Sequence, residues 1–186
     1  NFKKIYQNSS FYEKKISKTF DNNFKYKPSP HLLSSIIKYQ NKKYRIEDFA
    51  VESIWQNKMS TREYEKLNNF FWFFSLDLKS SKENTQSVIK NWIKENSKYN
   101  KYSWEFNLTA KRIIAWLSNH QLTYQDSDKE YRLMFDHMIQ KQTNHLLSEI
   151  KSSNPFENKL IGCCAINLTG LAYKNETNYL ESGLSI

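Results

Sequence analysis

The stretch SDKEYRLMFDHMIQKQTNHLLSEI, residues 127–150, decides the fold class. Ser127 and Glu130 have the spacing of a capping box, in which each side chain satisfies a free backbone N–H at the start of a helix. Apolar residues then recur every three or four positions, which is the spacing of one helix face. They are Tyr131, Met134, Phe135, Met138, Ile139, Leu146 and Ile150. The stretch therefore predicts a long amphipathic helix.

Three helices are predicted before this stretch. The first begins at Thr61, the second at a Ser81 cap, and the third at an Asn107 cap. The second helix is expected to stop at the polar residues 96–98. The apolar stripe of the first helix is Tyr64, Leu67, Phe71, Phe74 and Leu78. The inward residues of the other two are Val88, Ile89, Trp92 and Ile93, and Leu108, Ile113, Trp116 and Leu117.

Two more helices are predicted after it. Asn154 is the expected cap of the first, Pro155 its first-turn proline, and Glu157 the partner that completes a capping box. A last helix begins near Glu176. Only three glycines and three prolines occur in the chain, which is few turn signals for a β-rich fold. The predicted class is all-α, with antiparallel helical hairpins; no repeat of fixed period chooses between a bundle and a toroid.

The first 60 residues differ from the rest. Pro28 and Pro30 flank an extended stretch, and residues 43–54 show no helical stripe. We expect residues 1–60 to form an irregular N-terminal arm that could contain one short helix, and residues 61–186 to form a helical domain. The first residue is Asn1, and the chain breaks off inside a predicted helix. We therefore expect a piece of a longer protein, truncated at the C-terminus.

The net charge of +9 raises the possibility of a nucleic-acid partner. Only four of the 28 basic residues are arginines, and the lysines are scattered in pairs among Asn, Ile and Tyr, a composition typical of an AT-rich genome. We therefore expect no nucleic-acid partner. An acidic polysaccharide also suits a basic surface, and charge alone does not separate the two.

No targeting or membrane-spanning segment is predicted. Residues 1–20 carry charge throughout, which excludes a signal peptide. The longest apolar run, Phe70–Phe74, is far below the roughly 20 residues that a bilayer requires.

Motifs for metal or cofactor chemistry are absent from the sequence. It contains no phosphate-binding glycine loop, HExxH or nucleophile elbow. The adjacent Cys163 and Cys164 are expected to be buried free thiols. His137 and His145 are about 12 Å apart along a helix, too far to share a metal ion, and are expected to be solvated or interhelical. We predict neither a metal nor a cofactor.

Aromatic and basic residues around one predicted helix suggest sugar binding. Flat rings stack on the apolar faces of sugars, and an arginine can hold a uronate carboxylate in a bidentate fork. Trp104, Arg112 and Trp116 form such a set, with the last two neighbours on one helix face. The alternative is that Trp116 lies in the core and Arg112 pairs between helices.

The order of these motifs resembles the heparinase II/III family of polysaccharide lyases. An aromatic-rich segment at residues 70–78 precedes Trp92-Ile93, then Trp104-Glu105-Phe106, and then the run from Arg112 to Trp116. The stretch from Asn158 to Tyr173 is similar to the family's next signature, a helix that ends in Gly170-Leu171. The resemblance covers about residues 27–186.

The resemblance implies part of an incomplete α/α toroid, followed by a β-sandwich domain. It also implies β-elimination on an acidic, uronate-containing polysaccharide by a periplasmic or secreted protein. Asn158 matches a family asparagine and becomes the fourth candidate substrate-binding residue. Lys159 and Gly162 stand where the family usually has His and Glu.

The family's catalytic Tyr and His would lie beyond Ile186, so no catalytic residue is assigned within the chain. We expect this piece alone to be inactive and, with apolar faces uncovered, prone to aggregate. The first alternative is a non-catalytic carbohydrate-binding or scaffold domain on the same helices. The second is a basic helical protein that binds nucleic acid. The oligomeric state is not predicted.

Overall fold

The computed structural model describes residues 2–17, 60–75, 82–173 and 177–185. These residues form helices and turns with no β-strand among them, so the predicted all-α class is confirmed. The α-helices are α1 Phe2–Gln7, α2 Ser10–Ile16, α3 Thr61–Asn68, α4 Lys82–Asn96, α5 Phe106–Ser118, α6 His120–Thr123, α7 Lys129–Glu149, α8 Phe156–Ala172 and α9 Thr177–Leu184. Two 3-10 helices span Phe71–Ser75 and Ile150–Ser152.

Helix α5 is the centre of the fold. It contacts α3, the first 3-10 helix, α6, α7 and α8, and all its residues from Arg112 to Ser118 are buried. Next to it, the rings of Trp92 and Trp116 meet edge to face at 5.5 Å. Phe70 meets Trp116 in the same way at 5.2 Å. Each such pair contributes about 0.5–1.5 kcal/mol beyond its buried area, so this cluster ties α4 and the loop after α3 to α5.

The helix predicted from Thr61 to Leu78 is wrong in its second half. Helix α3 ends at Asn68, and Phe70 adopts a φ of 58° before the 3-10 helix begins. The Asn69 side-chain oxygen accepts from the backbone N–H of Phe71 at 2.8 Å, a local bond that competes with helix continuation. The break turns Phe70 into the aromatic cluster, and Leu78 lies outside the described residues.

The residues that cap α5 and α7 are carboxylates and differ from the predicted caps. Glu105, rather than Asn107, caps α5 by accepting from the backbone N–H of Leu108 at 2.9 Å. Asp128, rather than Ser127, caps α7 by accepting from that of Tyr131 at 2.7 Å. A carboxylate carries a full negative charge at the positive end of the helix dipole, which favours it over the neighbouring amide or hydroxyl.

The other predicted helices lie close to their expected positions. Helix α4 ends at Asn96, where the polar stop was expected, and its Ser81 cap lies outside the described residues. Helix α8 begins after Pro155, which occupies the cap position in place of Asn154 and makes no side-chain cap bond because proline has no polar side chain. Helix α9 begins at Thr177, next to the predicted Glu176.

Residues 2–17 of the expected arm form two short helices, and the rest of the arm, residues 18–59, lies outside the described residues. Tyr12 and Ile16, one turn apart on α2, are both buried. The Tyr12 hydroxyl bonds His145 Nδ1 on α7 at 2.6 Å. The side-chain amide of Asn144 donates to the backbone oxygen of Ile16 at 2.9 Å. Helix α2 is therefore part of the same core as α7.

Helix α8 corrects the prediction of buried thiols. Cys163 is half-buried and Cys164 is exposed, and both are free. The helix buries the face that carries Gly162, Ala165 and Ile166, so the residues between these positions turn outward. Although α8 is the most apolar of the long helices, no helix within the described ranges is long and apolar enough to cross a membrane.

Candidate functional site

Three of the four predicted sugar-binding residues lie in the core. Trp104 is 1% exposed, and Arg112 and Trp116 are 0% exposed. A side chain with no exposed surface offers no face to a polysaccharide, so the predicted sugar contacts of these three residues are corrected. The structure instead places Trp116 in the core and Arg112 between helices.

Arg112 ties three parts of the chain together. Its Nε donates to Gln142 Oε1 on α7 at 2.8 Å, and its Nη1 donates to the backbone oxygen of Asn68 on α3 at 2.9 Å. Its Nη2 donates to Thr109 Oγ1 on α5 at 3.2 Å. The guanidinium also lies 4.0 Å from the ring centroid of Trp92. Burial lowers the pKa of Arg112 to about 9, which leaves the group charged at neutral pH.

Asn158, the fourth candidate, lies near the surface in the first turn of α8. Its Oδ1 accepts from Asn107 Nδ2 on α5 at 2.6 Å. Its Nδ2 donates to the backbone oxygen of Asn154 at 3.0 Å. Both asparagines are half-buried, so their amide groups keep access to solvent. The structure therefore separates Asn158 from the three buried candidates and joins it to Asn107.

Asn107 also lines a polar cleft between α3 and the beginning of α5. The cleft has a volume of about 420 Å³, within the range of roughly 300–1,000 Å³ that is usual for ligand sites. Seven of its eight lining residues are polar or charged, and none of the eight is aromatic or a histidine. The lining residues are Arg62, Glu65, Lys66, Asn69, Glu105, Asn107, Leu108 and Lys111.

The charges of the cleft nearly balance. Arg62, Lys66 and Lys111, the cleft cations, line it together with Glu65 and Glu105, which leaves one net positive charge among the lining residues. Arg62 and Glu65 are exposed, and Lys111 is half-buried. Cationic side chains can bind a carboxylate, while amide and carboxylate oxygens can accept from hydroxyl groups. The cleft can therefore bind an anionic, hydroxyl-rich ligand.

Sequence patterns missed the cleft cations, although a signal was present. Arg62 and Lys66 are four residues apart on α3, hence on one helix face, and Lys111 follows Asn107 by the same spacing on α5. Nothing in the sequence shows that these two faces meet. The contact between α3 and α5 supplies that information.

Two titratable side chains in the interior belong to packing. His145 is buried, its Nε2 bonds the backbone oxygen of Trp104 at 2.9 Å, and burial lowers its pKa to about 4. His137 is exposed, so the two histidines show the interhelical and solvated positions that were predicted.

On α7, the Asp136 carboxylate accepts from the Tyr173 hydroxyl at 2.8 Å and from the Tyr124 hydroxyl at 3.1 Å. Burial raises the pKa of Asp136 to about 6 against the opposing effect of these bonds.

Asp136 is expected to make the protein less stable as the pH rises from 4 to 7. Its pKa of about 6 in the folded state exceeds its ordinary 3.8, so its stabilising contribution is complete below pH 3.8 and is lost as the pH rises through 6. The loss is up to about 3 kcal/mol, at about 1.4 kcal/mol per pKa unit. Urea unfolding of the wild type and Asp136→Asn at several pH values measures it. His145 titrates in both proteins and cancels, so a pH-independent difference would contradict the assignment.

Other features of the described chain do not add a second site. Within the described ranges, no group of three or more His, Cys, Asp or Glu side chains is arranged to hold a metal ion. Comparison with known proteins finds no matching protein-family model, no matching curated protein and no matching solved structure. The chemistry of the cleft and of the Asn107–Asn158 pair is therefore the basis for a function.

Proposed function

We propose that the chain is the helical, substrate-binding part of a heparinase II/III-like polysaccharide lyase, which cleaves an acidic, uronate-containing polysaccharide by β-elimination. The observation that carries the proposal is the cleft with its three cations beside the Asn107–Asn158 pair. In this proposal, the successive contacts of α7, α8 and α9 are part of an incomplete α/α toroid. The protein meets its polymer in the periplasm or outside the cell.

β-Elimination requires three groups at the uronate. One neutralises the carboxylate and so acidifies the C5 proton, a base removes that proton, and an acid protonates the leaving oxygen as the C4–O bond breaks. The cleft cations and the amide N–H of Asn158 that does not bond Asn154 suit the first role, because they are donors near solvent. The base and the acid are Tyr and His side chains from outside residues 1–186. We therefore expect this chain alone to bind the polymer without cleaving it.

A non-catalytic carbohydrate-binding domain is the second candidate. It is favoured by the composition of the cleft, because the eight residues that line it include neither Tyr nor His. Lys159, in place of the family's His, points in the same direction. Such a domain binds uronate polymers and forms no unsaturated product even in the full-length protein. A nucleic-acid-binding protein differs from both, since its affinity collapses with salt and ignores the sugar polymer.

Lys111→Ala is expected to weaken binding of a polyuronate such as alginate by about three- to tenfold, because it removes one cation from a partly enclosed site. Isothermal titration of the 186-residue chain measures the affinity. Lys151→Ala is the matched control, since Lys151 is an exposed lysine outside the cleft and should leave affinity unchanged.

The full-length protein is then incubated with alginate, heparan sulfate and heparin, and the ultraviolet absorbance of the unsaturated uronate product is followed. A rise in absorbance that Lys111→Ala reduces supports the lyase. Binding without any rise supports the carbohydrate-binding domain instead. If no uronate polymer binds to folded protein, both candidates are overturned.

A further inference from the structure

The hydrogen bonds around Asn158 define which atom Asn107 offers to a ligand. The backbone oxygen of Asn154 can only accept, so the atom of Asn158 that contacts it is Nδ2. The Oδ1 of Asn158 then contacts Asn107 and requires a donor, which is Asn107 Nδ2. Asn107 Oδ1 makes no bond within this pair. Asn107, which lines the cleft, therefore keeps its Oδ1 acceptor outside this pair.

The two carboxylates of the cleft add further acceptors and negative charge. Glu105 is held in place because its Oε2 accepts from the backbone N–H of Leu108, so it cannot swing away from a ligand without uncapping α5. Glu65 is exposed in the middle of α3. A ligand in the cleft thus meets the acceptor side chains of Asn107, Glu65 and Glu105 as well as the three cations.

These features discriminate between free hydroxyls and sulfate esters. The single net positive charge among the lining residues matches one uronate carboxylate per site. A sulfate ester brings another negative charge toward Glu65 and Glu105, and it replaces a hydroxyl donor by oxygens that only accept. An acceptor such as Asn107 Oδ1 then loses its partner, and the penalty for the unpaired group opposes binding.

We propose that the cleft binds a uronate whose hydroxyl groups are free and selects against its sulfated forms. This inference rests on the proposed function for the uronate itself, and it narrows the substrate class to unsulfated or sparsely sulfated polyuronates. We assign the selectivity to Glu65, which carries a negative charge in the cleft. Glu105 carries one as well, but it also caps α5, so its two roles cannot be separated by substitution.

The test is a titration of the protein with two ligands of equal length, an unsulfated glucuronate-containing oligosaccharide and its chemically sulfated derivative. The wild type is expected to prefer the unsulfated ligand by about tenfold or more, since one like-charge contact in a cleft costs about that factor. Glu65→Gln is expected to reduce the preference by about three- to tenfold, by strengthening binding of the sulfated ligand. Glu181→Gln, an exposed glutamate on α9, is the matched control and should not change the preference.

Each outcome has one meaning. If the wild type binds the sulfated ligand more tightly, the selectivity is overturned and the proposed uronate binding stands. If Glu65→Gln is folded by circular dichroism and keeps the full preference for the unsulfated ligand, the role of Glu65 in selectivity is overturned, and so is the argument from charge balance. If neither ligand binds to folded wild type, the proposed function itself fails. A preference that Glu65→Gln reduces and Glu181→Gln retains supports the inference.

Discussion

Arg112→Ala is expected to lower the free energy of unfolding by about 3–5 kcal/mol, which is a large fraction of the stability of a domain this size. The change leaves a cavity next to Trp92 and removes the donors for Gln142 Oε1 and the backbone oxygen of Asn68. A buried acceptor without a partner costs about 1–3 kcal/mol. Urea unfolding followed by tryptophan fluorescence measures the effect.

Two further variants separate the role of Arg112 from its charge. Arg112→Lys keeps a cation but is expected to cost at least about 2 kcal/mol, because one ammonium cannot reach acceptors on α3, α5 and α7 together. Arg62→Ala, on an exposed arginine of the cleft, is expected to stay within about 0.5 kcal/mol of the wild type while weakening ligand binding. A loss below about 1 kcal/mol for Arg112→Ala would contradict the structural role.

Gly162→Glu is expected to destabilise the protein by at least about 3 kcal/mol, by overpacking and by burying a carboxylate. A Cβ atom at Gly162 would lie 2.5 Å from Phe106 Cζ and 2.9 Å from Ile150 Cδ1. The glycine therefore permits the close approach of α8 to α5. The heparinase II/III family usually has a glutamate in this neighbourhood, whereas this chain has Gly162. The close packing at position 162 leaves no space for a glutamate side chain, which explains the difference.

Cys164→Glu is the matched control for this prediction. It places the same side chain two residues further along α8 at an exposed position, and it is expected to change stability by no more than about 0.5 kcal/mol. Gly162→Ala should fall between the two, because the gain in helix propensity offsets part of a shift of the Phe106 ring. Thermal unfolding by circular dichroism compares the three variants. Equal midpoints for Gly162→Glu and Cys164→Glu would exclude the tight packing of α8 on α5.

Arg112 and Arg62 show how one residue type serves different purposes in this chain. Arg112 is enclosed by α3, α5 and α7 and stabilises their packing, whereas Arg62 is exposed at the cleft. The sequence singled out Arg112 because two tryptophans lie close to it along the chain. In the structure Trp104 and Trp116 are buried in the core, and the ring that lies over the Arg112 guanidinium is that of Trp92. The pattern that suggested sugar binding is therefore one of internal packing.

The candidate site was predicted only in part. Asn158 was identified through the family resemblance, and the structure adds its partner Asn107, 51 residues earlier in the chain. The cations of the cleft lie on two helices, α3 and α5. They form one site only because these two helices contact each other. Among the described residues, the aromatic candidates lie in the core because large rings bury the most apolar area.

The sequence by itself determined the helical class and the approximate positions of α4, α5, α7, α8 and α9, since apolar spacing and helix hydrogen bonds are set by residues three or four apart. Tertiary structure decided the break at Phe70, the exposure of Cys164, the burial of Arg112 and the position of the cleft. Each of these depends on contacts with other helices, which decide what a side chain can bury and which polar atoms keep a partner. Local spacing carries no information about such contacts.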